Sequence, residues 1–266
     1  PDEIERTEKI PEAVIEKAFE LGLFGMKIPK EYGGLGFTQT NYNRVLALAA
    51  SWCNVFAITL SAHQSIGVSM MILEFGNEKQ RKKYLPLVAR RQISGFALTE
   101  IKVGSDVASM ETQAVLNNEG TDFILSGEKL WCTNGPVAGV IVLMARVPAK
   151  RLRNERGTYL IDAMGNRLYM PCPEGNGSES SPITSFILEM NTPGIEIERC
   201  RFEGCRGIEN AYLRFTNVRI PIENVIGEVG NGLRYALTLL DTGRISINAI
   251  ALGMVKEGWQ PTIDRA

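Results

Sequence analysis

The sequence predicts an α+β protein with an N-terminal all-α helical domain, a central antiparallel β-barrel or sandwich domain, and the opening helix of a further helical segment. Three observations carry this reading. Apolar residues recur at helical spacing up to about residue 95. The chain then breaks into short β-rich runs between Gly, Asn and Pro turns, with no helix-length segments between them. Helical spacing returns from about Asn231. The implied domains are 1–95, 96–228 (carrying an insertion at about 148–182) and 229–266.

Taken in order, Ile10, Val14, Ala18 and Leu21 recur at three- and four-residue spacing, the stripe an amphipathic helix buries, and Gly22 and Gly25 mark its stop. Residues 31–36 form a turn cluster. Thr38 caps the next helix, which turns Val45, Leu46, Ala49 and Trp52 inward. A third, mostly apolar helix runs from 55 to about 75, and a short basic one over 78–84 ends near Pro86. Met110, Thr112, Ala114 and Leu116 then alternate with their neighbours, and 122–126, 140–147, 184–190 and 212–215 read as strands. Residues 159–170 read as a hairpin turning at Gly165-Asn166, either a plain loop or a partner-docking arm. In the last segment Leu233, Leu237, Leu240, Ile247, Ala251 and Met254 make one helix face, which Pro261 ends or bends.

Composition narrows the function classes. The 266 residues are 44% hydrophobic and 22% charged, with 29 basic against 30 acidic residues and a net charge of −1. Charges are interspersed, so neither nucleic acid nor an anionic membrane is an expected partner. Apolar stretches such as 139–145 fall short of the roughly 18–20 residues of a membrane span, and none is expected. Pro1 in place of a methionine leaves a removed leader open. Cys53, Cys132, Cys172, Cys200 and Cys205 form no C-x-x-C pair, which reads as reduced thiols of an intracellular protein. With His63 as the single histidine, no metal site is expected.

Two segments carry chemistry. The first is Thr99-Glu100-Ile101-Lys102-Val103-Gly104-Ser105-Asp106, and about thirty residues later comes Lys129-Leu130-Trp131-Cys132-Thr133-Asn134-Gly135. Each sets a hydroxyl, a glycine and backbone N–H groups beside apolar or aromatic surface, which suits a flat, polar-edged ring with a phosphate tail. Together they read as a flavin site. With the order of the surrounding segments, the chain resembles the acyl-CoA dehydrogenase family, whose middle domain carries T-E-P-x-x-G-S-D and K-x-W-x-T/S-N-G at about this separation. Residues 22–36, 61–67, 75–86 and 215–244 resemble further family landmarks in the same order, so the likeness covers nearly the whole chain. Ile101 stands where the family has proline. The texture around His63 and over 227–244 is most similar to the long- and very-long-chain branch.

The resemblance implies roles residue by residue. Phe96, Leu98 and Thr99 would line the flavin ring, with Thr99 bonding its polar edge, and Gly104 and Ser105 would approach the cofactor and the pantetheine arm. Trp131 would stack by the ring and Thr133 would bond near its reactive nitrogen. Ser105, Asp241 and Arg244 would meet the substrate, Arg244 orienting the base and thioester. From the residues alone other readings stand: a strand-to-turn with a Ser-Asp cap, a core tryptophan, and an Asp241–Arg244 surface ion pair at i, i+3. His63 would make a helix–helix contact. The Gly227, Gly230, Gly232 cluster lacks the strand-turn-helix setting of a dinucleotide loop and reads as a turn.

The implied activity is FAD-dependent α,β-dehydrogenation of an acyl-CoA with electrons passed to an electron-transfer flavoprotein, in a homodimer or homotetramer. The location would be cytoplasmic in a bacterium and the mitochondrial matrix in a eukaryote. Alternatives are an acyl-CoA oxidase of the same fold and a non-catalytic binding or assembly protein. One branch of the family places its catalytic glutamate just before the arginine of the last-domain helix, where this chain has Gly243. The others place it in a later helix. No residue here matches the base, which implies part of a longer enzyme with the C-terminal bundle truncated, or else a natural short form.

Overall fold

The computed structural model describes residues 1–163 and 165–265. Before the sheet come α1 (Asp2–Thr7), α2 (Glu12–Glu20), α3 (Gln39–Trp52), α4 (Asn54–Ser65), α5 (Val68–Phe75) and α6 (Glu78–Arg90). Thr38 caps α3 by accepting a bond from the Asn41 amide, and Asn77 and Gln80 close a capping box on α6.

Several sequence expectations are corrected at this level. Val14 and Leu21 are exposed, and α2 instead buries Ala18 with Ile15 and Phe19 packed beside it. On α3 the buried positions are Tyr42, Leu46 and Ala50, whereas Trp52, at the helix end, is exposed. The single third helix is two, broken at Gly67, where a Cβ would lie 2.2 Å from the His63 carbonyl oxygen. Pro86 does not end α6; the helix continues to Arg90, since the carbonyl that proline deprives belongs to exposed Lys82. The segment Asn54–Phe75, with mean hydropathy 1.4 over its richest window, is long and apolar enough to cross a membrane. Of that window 83% is buried inside the protein, and it carries buried Thr59, Ser61, His63, Gln64 and Ser65. It is the core of the helical layer.

His63 is the polar centre of that layer. Its Nδ1 accepts the Ser94 amide at 2.8 Å, and Nε2 lies 3.0 Å from the carbonyls of both Phe24 and Val88. Nε2 therefore carries the proton and donates it, tying α4 to α6, to the turn at Leu23–Gly25 and to the first strand. Burial pushes its pKa down to about 4.

The strands are β1 (Ile93–Ala97), β2 (Gln113–Leu116), β3 (Asp122–Thr133), β4 (Ala138–Arg146), β5 (Ala149–Arg151), β6 (Tyr169–Pro171), β7 (Ile183–Glu189), β8 (Ile195–Cys200), β9 (Asn210–Pro221) and β10 (Val225–Ile226). The main sheet runs β10-β7-β4-β2-β3-β9-β8, with β1 against β4. It is mixed where an antiparallel one was expected: β1 lies parallel to β4, because the β2–β3 hairpin intervenes and returns the chain in the same direction. Alternate residues of β4 face opposite cores. Val140, Val142 and Met144 pack under the helices, and Ile141, Leu143 and Ala145 pack inside the curled sheet with Phe123, Phe186 and Leu213. The insertion is a separate ribbon of β5 and β6 whose tip turns by Asp162 accepting the Asn166 and Gly165 amides. The expected hairpin is there, apart from Met164, which lies outside the described residues.

The last helix, α7 (Gly232–Arg265), lies along α3 and α4 and runs through Pro261 without ending there. Its buried stripe is Ala236, Leu239, Gly243, Ser246, Ile250 and Gly253, a three-four repeat of mainly small residues. The stripe expected from hydrophobicity is one position over, and Leu237, Ile247 and Met254 in it are exposed. Closeness decides the choice: a Cβ on Gly253 would sit 2.1 Å from the Ala47 carbonyl oxygen of α3.

Two outcomes follow. Gly253→Ala forces α7 off α3 and lowers unfolding free energy by about 1–3 kcal/mol in urea titration; an unchanged midpoint would contradict the close approach. His63 has a folded pKa below its unfolded value of 6.5, so acid favours the unfolded chain, which takes the proton first. Stability falls as pH drops from 6.5 through about 4, by up to about 1.4 kcal/mol per pH unit. That slope disappears in His63→Gln; the same acid limb in both proteins would assign it elsewhere.

Candidate functional site

The two chemistry-bearing segments are locked together by a buried ion pair. The Lys129 ammonium, with no solvent exposure, lies 2.8 Å from Glu100 Oε1 and donates to the Leu98 carbonyl at 3.0 Å. Glu100 also accepts the backbone amides of Glu111 at 2.6 Å and Thr112 at 3.1 Å. Burial pushes the Glu100 carboxyl up, but the Lys129 charge and these hydrogen bonds outweigh it and hold it below its ordinary value. Burial brings Lys129 down to about 8 against the opposing pull of Glu100. A backbone bond from Leu130 N–H to the Thr99 carbonyl, 2.8 Å, completes the join.

From Glu100 the chain makes a tight turn in which Glu100 and Val103 exchange both backbone bonds, at 3.0 and 3.1 Å. The turn closes with Ile101 in it. Val103 and Met110 anchor the loop in the core while 104–106 stay exposed. Arg146 fixes its far side, donating to the carbonyls of Met110, Ala108 and Ser181 at 2.6, 2.5 and 2.8 Å. Space over Gly104 is open: an added Cβ would meet nothing within 4 Å.

At Trp131 the β3–β9 ladder slips, and the residue takes φ +58, a left-handed conformation rare for a bulky side chain. Its indole is 47% exposed and stacks on Phe202, with ring centroids 5.2 Å apart. Asn134, also at positive φ, sets the exit from Thr133. Its amide donates to the Thr59 and Ser94 carbonyls, each at 3.1 Å, joining β3 to α4 and β1.

Thr133 opens onto a cavity of about 570 Å³ between α4 and α7. From α4 and its C-terminal cap come Ile58, Ser61, Ala62, Ser65 and Ile66, and from α7 come Leu240, Gly243, Arg244, Ile247 and Asn248. Each set recurs at helical spacing, so one face of each helix walls the space. No carboxylate is among these lining residues. A larger cavity of about 800 Å³ beside Glu16, Arg90 and Arg91 touches none of the expected site residues.

Of the expected residues, Thr133 and Arg244 thus meet at one cavity. Asp241 pairs with Arg244 on the exposed face of α7. Phe96 and Leu98 are buried in the helix-facing core. Thr99, Gly104, Ser105 and Trp131 lie on the joined segments outside the cavity lining, and no hydrogen bond among the described residues engages the hydroxyls of Thr99, Ser105 or Thr133. Sequence reasoning missed the Glu100–Lys129 pairing, although both lie inside the motifs. It also missed Phe202 and Arg146, which no local spacing connects to the site. Among the described residues no cluster of three His, Cys, Asp or Glu can hold a metal.

Comparison with known proteins gives consistent results. Residues 1–92 match the acyl-CoA dehydrogenase N-terminal domain and residues 95–167 the acyl-CoA dehydrogenase middle domain. The probable acyl-CoA dehydrogenase FadE10 of Mycobacterium tuberculosis is 42% identical over 255 residues, spanning 96% of this chain and 35% of that protein. The mitochondrial very long-chain specific acyl-CoA dehydrogenase of Rattus norvegicus is 33% identical over 271 residues, 100% of this chain and 37% of its own length. The crystal structure of an acyl-CoA dehydrogenase complexed with FAD from Bacillus anthracis superposes with a TM-score of 0.77 at 31% identity, covering 96% of this chain and 38% of that one. The chain therefore spans little more than a third of the curated relatives it matches.

Lys129→Met leaves the Glu100 carboxylate buried without its counter-ion and lowers unfolding free energy by about 3–5 kcal/mol. Adding Glu100→Gln recovers part of the loss, since no charge then stays buried. Chemical denaturation of the three proteins measures both, and equal stability of Lys129→Met and wild type would mean the pair does not join the segments.

Proposed function

The chain belongs to the acyl-CoA dehydrogenase family, and from that premise we propose that the protein it forms binds FAD and α,β-dehydrogenates an acyl thioester. The observation that carries the reading is the junction of the two motif segments, opening at Thr133 onto a cavity shared with Arg244. The residues suit the cofactor. Open space over Gly104 admits close approach to backbone N–H groups, free hydroxyls on Thr99, Ser105 and Thr133 supply donors, and an exposed indole supplies a stacking face. FAD, when bound, supplies the acceptor for the β-hydrogen.

The chain's own groups have defined tasks under this proposal. Phe96 and Leu98 back the ring site from the core. Thr99, Gly104, Ser105 and Thr133 bond its polar edge and chain, and Trp131 covers a face. Arg244, held by Asp241, presents a permanent positive charge to the thioester end of the cavity, and Ser105 meets the substrate's pantetheine arm. Abstraction of the α-proton needs a base within hydrogen-bond reach. No carboxylate lines the cavity and Gly243 has no side chain, so we assign that step to no residue of this chain. An acyl-CoA substrate, an electron-transfer flavoprotein as acceptor and a homo-oligomeric state belong to the same proposal.

The test is anaerobic titration of the native protein with acyl-CoAs of graded length, following visible absorbance. Bound flavin bleaches with the preferred chain length; rapid recolouring in air would identify an oxidase. A bound flavin that no acyl-CoA bleaches, or no flavin at all, overturns the proposal in favour of a binding or assembly protein.

A further inference from the structure

We infer that the cavity between α4 and α7 selects an acyl chain bearing a hydrogen-bond-accepting oxygen, a hydroxyl or carbonyl, along its length, through the paired hydroxyls of Ser61 and Ser65. The inference rests on the reading of that cavity as the acyl site.

A pocket meant only for alkyl groups has apolar walls. This one has two serines one turn apart on α4, Ser61 and Ser65, 5% and 1% exposed. Serine in a helix interior commonly bonds the carbonyl four residues back, as Thr59 does to Val55 at 2.9 Å. Ser61 and Ser65 do otherwise. Ser61 Oγ lies 3.3 Å from Ser65 Oγ, and Ser65 Oγ lies 3.0 Å from the Tyr42 hydroxyl.

Counting protons shows what this chain leaves free. Three hydroxyls carry three donors, and the two contacts use two of them. The phenol of Tyr42 is fully buried, and burial pushes its pKa above the ordinary value, so it keeps its proton. Its bonding partner is Ser65. A phenol donating away from Ser65 would leave its proton buried without an acceptor, which is costly. Tyr42 therefore donates to Ser65, the contact between the two serines uses one of their protons, and the remaining serine proton is left for the cavity that both residues line. A plain alkyl chain lying against the two serines leaves that donor unmet. An oxygen on the chain accepts it, with the Asn248 amide on the facing wall available as a second partner.

The experiment is calorimetric titration of the native protein with dodecanoyl-CoA and with monohydroxylated dodecanoyl-CoAs whose hydroxyl is moved stepwise along the chain beyond the reacting carbons. At one position the hydroxylated ligand binds about threefold to tenfold tighter than the plain one, the ratio one neutral hydrogen bond provides. Ser61→Ala combined with Ser65→Ala brings that ratio to about one; the readout is a ratio of two ligands on the same protein, so any general loss of affinity cancels. Equal binding of plain and hydroxylated ligands at every position, or a ratio that survives the loss of both serine hydroxyls, overturns the inference and leaves the dehydrogenase reading intact. Failure of every acyl-CoA to bind overturns that reading and the inference together.

Discussion

The Glu100–Lys129 pair is the constraint on which the site's geometry depends. Two full charges are taken out of water at a cost that their attraction alone rarely repays. The balance is met by geometry: the ammonium reaches a carbonyl as well as the carboxylate, and the carboxylate gathers two backbone amides. Because those amides belong to Glu111 and Thr112, the pair fixes both ends of the 100–112 loop and the start of the K-x-W segment at once. Under the proposed function this loop leaves hydroxyls and N–H groups open to a ligand, and those same groups then cannot hold it in place. Its order comes from anchors outside the open stretch, the ion pair on one side and Arg146 on the other.

The same division between anchoring and open groups recurs one layer away. His63 satisfies both ring nitrogens internally and remains neutral, so the polar centre of the helical layer does no chemistry toward the cavity. Asn134 spends both amide protons on α4 and β1, leaving the preceding Thr133 free. The strained backbone at Trp131 fits this scheme. A left-handed tryptophan costs about 1–3 kcal/mol and persists because Leu130 and Cys132 on either side are held, Leu130 by Thr99 and Cys132 in the sheet core.

Much of this was legible in the sequence, and the misses share a cause. Periodicity found the helices and the alternation of 110–116, because burial on one face is a local signal. It chose the wrong stripe on α2 and α7, where it weighted side-chain hydrophobicity alone. On α7 the buried face is the smaller one: Gly253 permits a close approach to α3 and Gly243 to Ile66 that leucine at 237 or isoleucine at 247 could not. The motifs named Thr99, Gly104, Trp131 and Thr133 through resemblance. The pairing of Glu100 with Lys129, the stacking of Phe202 on Trp131 and the reach of Arg146 are contacts between distant segments, and single-sequence spacing carries no record of them. The parallel placement of β1 was hidden for the same reason, since direction within a sheet is a property of the connection and not of the strand.

Gly243 shows how packing and chemistry constrain each other at one position. It lies on the buried stripe of α7 and lines the cavity, and a Cβ there would come within 2.9 Å of Ile66 Cγ2, just past the end of α4. The wall of the cavity is therefore set by close approach, and a long acidic side chain in place of Gly243 would have to push Ile66 aside before it could enter the cavity. Among the lining residues the charged group is Arg244, which cannot lose its proton and so can attract and orient but cannot act as a base. The cavity walls thus offer hydroxyls and one fixed cation, and under the proposed dehydrogenation these residues bind and orient while the base comes from a group these walls do not include.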